Sequence, residues 1–398
     1  MSLLMRSFCT LLSRFISPLL LVASAPLLAA SPIPSAPTLA ASSYILMDAN
    51  SGRILVESNA HQPLPPASLT KLMTAFVAEN ELAAGNISAT EEVLVSEKAW
   101  KMGGSTMFIE VGERVAVEEL LKGIIIVSGN DASVAIAEHI AGSEGAFAEL
   151  MNSTANELGM TNTRFVNASG WPAEGHYTTA ADLAVLARAT IYQHPDRYGI
   201  YAEKYYQYGV DKKTGKPLRK QPNRNRLLWS NSAVDGLKTG HTEEAGYCLV
   251  TSASQDGRRL ISVVMGAKSE KSRASETQKL LTYGFRFFEN ALVKRGGEAL
   301  QTPRVWKGVT DKVAVGVSED IMVTIPRGQS KNLSAVMELN PTLEAPLKQG
   351  QVLGEVKVLL GEELIETVPV VALQAVESGG FFRRLWDSIL LFVFGLFA

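Results

Sequence analysis

The sequence predicts an α+β chain: one antiparallel sheet with helices around it, then a small all-β domain and a C-terminal amphipathic helix. Hairpin signals stand at both ends of the stretch from Ser43 to Gly266, and helix-period segments lie between them. After about residue 295 the pattern changes to short β-rich runs separated by turns. The last eighteen residues, after Gly379-Gly380, read as a helix with one apolar face.

At ~150 residues per domain, the 398 residues leave room for two or three. Hydrophobic residues make up 46% and charged residues 20%, a balance that fills a core and excludes wholesale disorder. Lys and Arg (38) nearly balance Asp and Glu (40), so no basic excess points to nucleic acid. Two cysteines, Cys9 and Cys248, exclude a disulfide scaffold and a Cys-rich zinc site. Five scattered histidines without an H-E-x-x-H exclude a zinc peptidase, so neither a metal nor a cofactor is expected.

Residues 1–30 read as a secretory leader. Arg6 and Arg14 precede the apolar run Leu19–Ala23, and small residues follow through Ala29-Ala30. Pro18 and Pro26 bracket a run too short to span a bilayer, which needs ~20 residues. Cleavage after Ala30 and after Ala41 both fit. Cys9 stands before the apolar run, a poor position for a lipoprotein cysteine. Removal of the leader leaves Cys248 alone, so no internal disulfide can form.

The first domain is expected over 40–290. Ser43–Asp48 and Gly52–Glu57 flank a turn at Ala49–Gly52 and form a hairpin. Pro63, Pro65 and Pro66 end that extended segment, and a helix runs from Ser68 to about Ala84. A long Ala-rich, helix-period region follows from Val117 to about Leu158, and another helix from Thr179 to Tyr192. Residues 199–231 are polar, aromatic and irregular. Gly246–Ser252 and Arg259–Gly266 flank Gln255–Gly257 as a second hairpin, and Glu270–Glu289 reads as a closing helix.

The second domain is expected over 297–376. Val313–Val317, Ile321–Ile325, Val352–Val358 and Val368–Val371 are strand-like, and no titratable cluster accompanies them, which suits a spacer or docking module. In the tail, 379–398, Phe381, Phe382, Leu385, Ile389 and Val393 share a helix face. The ten apolar residues from Ile389 to Ala398 extend about 15 Å as helix, half of a ~30 Å bilayer core, so the tail reads as an anchor lying in one leaflet. The alternative is a helix packed on the protein's own core.

Three short motifs carry chemistry. In Ser68-Leu69-Thr70-Lys71 the i,i+3 spacing lets the lysine amine reach the serine hydroxyl. A serine is a weak nucleophile until a base takes its proton, and a lysine can do so only where its pKa is lowered. Alone, the motif is weak, and a capping serine beside a solvated lysine is its usual explanation. Ser128-Gly129-Asn130 comes sixty residues later, after the apolar run Gly123–Val127. It suits either a turn capping the next helix or a cleft in which Ser128 relays a proton and Asn130 binds substrate and orients Lys71. Lys238-Thr239-Gly240-His241-Thr242 precedes the strand at Gly246. Gly240 removes bulk where another backbone could approach, as a peptide added along a strand edge would do. A surface turn with a solvated lysine is the other reading.

Taken together, S-x-x-K, S-x-N and K-T-G in this order form the signature of serine penicillin-interacting enzymes. The chain resembles the low-molecular-mass penicillin-binding proteins, in particular the D-alanyl-D-alanine carboxypeptidases of the type 5/6 group. Asn225-Arg226-Leu227-Leu228-Trp229, Val234–Thr242, Ile325–Gly328 and the aromatic tail extend the resemblance over nearly the whole chain after residue 40. It implies the penicillin-binding/β-lactamase-like serine transpeptidase fold. It also implies Ser68 as acyl-ester nucleophile, Lys71 as general base, and Ser128 and Asn130 as the rest of the proton network. Lys238 and Thr239 would hold the substrate's terminal carboxylate, with Gly240 and Thr242 completing the binding stretch. Backbone N–H groups of Ser68 and His241 would form the oxyanion hole, where a donor is often worth ~3 kcal/mol. Arg273 is a weaker candidate for the carboxylate and reads as a surface arginine.

The implied activity is removal of the terminal D-alanine from peptidoglycan stem pentapeptides, with β-lactams as inhibitors, at the periplasmic face of a bacterial inner membrane. The second motif is Ser-Gly-Asn where class A β-lactamases have Ser-Asp-Asn, and Met160–Trp171 contains no glutamate to activate a deacylating water. A β-lactam adduct is therefore expected to hydrolyse slowly. A β-lactamase on the same scaffold, a DD-endopeptidase and a non-enzymatic wall-binding protein are the alternatives; the last leaves three coincident motifs unexplained.

Overall fold

The computed structural model describes residues 33–210 and 214–395. The leader expected over 1–30 lies outside the described residues, as do the last three residues of the tail.

The chain begins with the hairpin of β1 (Ser43–Asp48) and β2 (Ile54–Ser58). A 3-10 turn at Ala67–Leu69 leads into α1 (Thr70–Ala84). Ser68 thus stands in the turn ahead of the helix, where the sequence placed it at the helix start. Ala67 in the left-handed region (φ 47°) delays the α-helical ladder until Thr70. The small pair β3 (Glu92–Leu94) and β4 (Arg114–Ala116) encloses the short α2 (Glu97–Trp100).

The helix-period stretch after Val117 divides into α3 (Val117–Ile126), α4 (Asn130–Ala141) and α5 (Glu144–Glu157). Ser128 at φ 64° makes the first break, and left-handed Gly142 makes the second. Ser143 then caps α5 by accepting from the Ala146 N–H. α6 (Ala180–Gln193) starts at Thr179, whose hydroxyl accepts from the Asp182 N–H. The irregular region holds the two-residue strands β5 (Tyr205–Tyr206) and β6 (Gln221–Pro222) and the single turn α7 (Leu227–Ser230).

Three long strands follow, β7 (Val234–Thr242), β8 (Gly246–Gln255) and β9 (Arg258–Ala267), and then α8 (Glu270–Phe287). The main sheet is antiparallel with order β2-β1-β9-β8-β7, so the first hairpin closes onto the last strand and β7 is left as an edge. Strand alternation divides the core. Ile45, Met47, Val250, Ile261 and Val263 pack with α1, α3, α4 and α6 on one face. Tyr44, Leu46, Leu249, Leu260 and Val264 pack with Leu280 and Leu281 of α8 on the other.

α8 ends at Phe287, two residues before the expected boundary, and the chain passes straight into β10 (Phe288–Lys294). The second domain continues with β11 (Val315–Gly316), β12 (Ile321–Pro326), β13 (Leu333–Leu339), β14 (Val352–Leu360) and β15 (Glu363–Ala372). These form a β11-β15-β14-β13 sheet and a β10-β12 pair around their own valine-rich core. Ser51 and Arg53 of the first hairpin bond to Thr324, at 2.8 Å and 2.6 Å.

α9 (Phe381–Gly395) is keyed to this domain by a buried acid: Asp387 accepts from the Lys307 N–H at 2.6 Å. Arg383 pairs with Asp311 beside it. Phe382 (83% exposed), Phe392 (71%) and Trp386 (63%) turn outward. Among the described residues no helix is long and apolar enough to cross a membrane.

Candidate active site

The nucleophile turn is built before any chemistry enters. The Ala67 carbonyl accepts from Thr70 Oγ1 at 2.9 Å, and Thr70 Oγ1 lies 2.7 Å from His176 Nε2. His176 Nδ1 accepts from the Val166 N–H at 3.0 Å. The proton of the neutral ring therefore sits on Nε2 and points at Thr70. Burial, reinforced by the Lys71 charge, lowers this imidazole to about 4, so it stays neutral over the working range. Gly170 packs against the same turn; a Cβ there would lie 1.8 Å from the Ala67 oxygen.

One turn into α1, Lys71 Nζ lies 3.0 Å from Ser68 Oγ and 2.7 Å from Asn130 Oδ1, and it also donates to the Ser169 carbonyl. Burial lowers the Lys71 ammonium to about 7, with the Asp131 charge pulling the other way. A neutral amine has two hydrogens and one lone pair. Asn130 Oδ1 and the Ser169 carbonyl take the hydrogens, and the lone pair is left for the Ser68 hydroxyl. Asn167 holds the Ser169 loop by accepting from the N–H groups of Ser169, Gly170 and Trp171.

The second motif brings its own support. Asn130 Nδ2 donates to the Gly103 carbonyl at 2.7 Å. Asp131, buried, accepts from the N–H groups of Met107, Phe108 and Ala132. Burial raises its carboxyl pKa against the pull of those N–H groups. The loop carrying Ser105 is thereby pinned beside Ser128.

The third motif lies on β7, not merely before β8. Lys238 is 3% exposed and donates to Ser128 Oγ at 2.8 Å and to the Thr239 carbonyl at 2.9 Å. Burial, with the Lys71, Arg273 and Arg224 charges, holds it well below the ordinary lysine value. A Cβ on Gly240 would sit 3.0 Å from the Pro66 oxygen and 3.2 Å from the Leu69 nitrogen. The backbone that approaches Gly240 is thus the chain's own nucleophile turn, where the sequence suggested a bound peptide. Thr242 Oγ1 accepts from the Ala245 N–H at 3.0 Å and closes the β7–β8 turn, so it does not line the cleft.

These elements meet in one cleft of about 220 Å³, lined by Ser68, Ser105, Ser128, Thr239, Gly240 and His241 together with Arg224, Tyr247, Glu270 and Arg273. Lys71, Asn130 and Lys238 stand behind that lining, bonded to Ser68 or Ser128 or to the loops around them. Arg273, expected on the surface, is 4% exposed and donates to the Gly240 carbonyl at 3.3 Å. Its place in the first turn of α8, three residues after Glu270, gave no sign of that burial. Nothing local in the sequence marked His176 or Asp131.

Residues 30–269 match the peptidase S11 family, D-alanyl-D-alanine carboxypeptidase, and residues 288–378 match the penicillin-binding protein 5 C-terminal domain. The chain belongs to the D-alanyl-D-alanine carboxypeptidase family. This family member is 46% identical over 364 residues to D-alanyl-D-alanine carboxypeptidase DacC of Escherichia coli (strain K12), covering 89% of each chain. It is 44% identical over 368 residues to DacA of the same organism, covering 90% of this chain and 89% of that one. Penicillin-binding protein 5 from Haemophilus influenzae superposes with a TM-score of 0.81 at 40% identity, over 86% of this chain and 99% of that one. Penicillin-binding protein 6B from Escherichia coli gives 0.70 at 36% identity, over 85% and 96%.

Proposed function

We propose that this carboxypeptidase removes the terminal D-alanine from peptidoglycan stem pentapeptides through an acyl-enzyme on Ser68. The observation that carries the residue roles is the setting of Lys71 Nζ: two fixed acceptors for its hydrogens, a pKa of about 7, and Ser68 Oγ at 3.0 Å. Lys71 takes the Ser68 proton as Oγ attacks the carbonyl of the penultimate D-alanine. Backbone N–H groups of Ser68 and His241 receive the oxyanion. The C–N bond breaks, the leaving amine gains the proton through Lys71 and Ser128, and water then hydrolyses the ester. Thr239 and Arg273 receive the leaving residue's carboxylate. Lys238 acts one layer back, by holding the Ser128 hydroxyl in position.

Penicillins acylate the same hydroxyl and block it. Residues 160–171 supply Lys71 with a carbonyl and the site with no carboxylate, and Glu144 beside them is engaged by the Ala168 N–H and Lys98. Ser68→Ala should abolish both D-alanine release and the penicillin adduct; activity surviving in that variant refutes the assignment.

We also propose a location, the periplasmic face of a bacterial inner membrane. The basic-then-apolar leader pattern supports export. The outward Phe382, Trp386 and Phe392 of α9 support burial of one helix face in the lipid surface.

A further inference from the structure

Trp171 takes no part in the steps above, yet its indole joins the two loops on which Lys71 depends. Lys71 Nζ gives its hydrogens to Asn130 Oδ1 and to the Ser169 carbonyl. The first acceptor is tied to loop 103–105. Asn130 Nδ2 donates to the Gly103 carbonyl at 2.7 Å, and the Asn130 N–H donates to the Ser105 carbonyl at 2.7 Å. The second acceptor belongs to loop 167–171, which turns around the Asn167 side chain. Among the described residues no hydrogen bond joins one loop to the other.

The indole makes that junction. A Cβ on Gly103 would lie 3.6 Å from Trp171 Cη2. A Cβ on Gly104 would lie 3.4 Å from Trp171 Cζ3 and 2.9 Å from Asn130 Nδ2. Gly104, left-handed at φ 78°, therefore leaves only bare backbone between the ring and the Asn130 amide. The ring is aimed by its own backbone, which Asn167 grips at both groups. Asn167 Oδ1 accepts from the Trp171 N–H at 3.2 Å, and Asn167 Nδ2 donates to the Trp171 carbonyl at 2.8 Å. Trp171 is 50% exposed, so it covers the seam between the loops from the solvent side.

We propose that Trp171 is a positioning residue for the base: its indole staples loop 103–105 to loop 167–171 and keeps water out of the seam between the two acceptors of Lys71. This rests on Lys71 as the general base. A wet seam would give the ammonium the solvation that burial denies it, and the lysine would move back toward its ordinary range. The other charged and titratable groups around this amine are Asp131 of α4, Lys238 of β7 and His176 ahead of α6. A substitution at residue 171 replaces none of them.

The test is the pH profile of Ser68 acylation, read as the second-order rate with a reporter β-lactam, for the full chain and for Trp171→Ala, Trp171→Phe and Gly104→Ala. The wild-type climb should centre at about 7, where burial places Lys71. Trp171→Ala should move that midpoint up by about one unit. The neutral fraction at about pH 7 then falls from roughly one-half to roughly one-eleventh, so acylation slows about five-fold there and stays within about two-fold at about pH 9. Trp171→Phe keeps an apolar ring over the glycines and should leave the midpoint within about 0.3 units. Gly104→Ala drives a Cβ into the seam and must shift the midpoint upward, which keeps the test decisive where Trp171→Ala does not fold. A rate lowered equally at every pH reports a lost contact with the β-lactam and overturns the proposal. So does a midpoint that stays put in Trp171→Ala or Gly104→Ala, or one that moves as far in Trp171→Phe as in Trp171→Ala. A wild-type profile with no climb near 7 overturns the Lys71 reading and the staple with it.

Discussion

Raising the pH from about 6 to about 8 should speed acylation of Ser68 by a penicillin about ten-fold. The magnitude follows from Lys71, whose pKa burial lowers to about 7. The lysine works as a base only when unprotonated. Its neutral fraction rises from roughly one-eleventh at a unit below that value to roughly ten-elevenths at a unit above it. The sign is fixed: a lowered lysine gains base form as pH rises, so the profile must climb through this window and then level. Stopped-flow measurement of adduct formation with a reporter β-lactam isolates the acylation step from ester hydrolysis. Two results refute the reasoning: a flat profile across the window, or a climb that begins only near the ordinary lysine range. Lys71→Arg supplies the control, since a guanidinium stays charged throughout and should remove the climb with nearly all the activity.

Four further outcomes are expected. Gly170→Ala puts a Cβ 1.8 Å from the Ala67 oxygen and should slow acylation at least about 100-fold by displacing the turn, while circular dichroism still reports a folded chain; unaltered acylation means the turn is not held there. His176→Leu removes the bond to Thr70 and should cost about 1–3 kcal/mol of stability, read as a lower thermal midpoint, together with slower acylation. Mass spectrometry after penicillin exposure should find a long-lived adduct on Ser68; turnover within seconds favours the β-lactamase alternative. Deleting residues 381–398 should release active enzyme from membranes, and a truncated enzyme that still sediments with them refutes the anchor.

Periodicity made the secondary structure legible: the two hairpins, the helices near 68–84 and 179–192, and the valine-rich second domain all announce themselves in spacing alone. Boundaries moved where backbone conformation overrode pattern, as at Ala67, Ser128 and Phe287. The three motifs lie together in space because β7 passes beside the nucleophile turn, a contact that only folding creates. What stayed hidden was the support. His176 acts through Thr70 and Asp131 through a loop twenty-odd residues away, and neither pairing leaves a local trace. Arg273 looked solvated because one arginine in a polar helix start gives no sign that a strand will cover it.

The contact at Gly240 bears on how such an enzyme could escape a drug. Substrate and penicillin would use the same pair of backbone donors, one on each side of a gap where a methyl group would press to 3.0 Å on the Pro66 oxygen. A side chain that widened the gap would blunt the antibiotic and the native reaction together. Selection for drug tolerance is therefore channelled toward cleft-lining side chains such as Arg224, which can change without prising strand and turn apart.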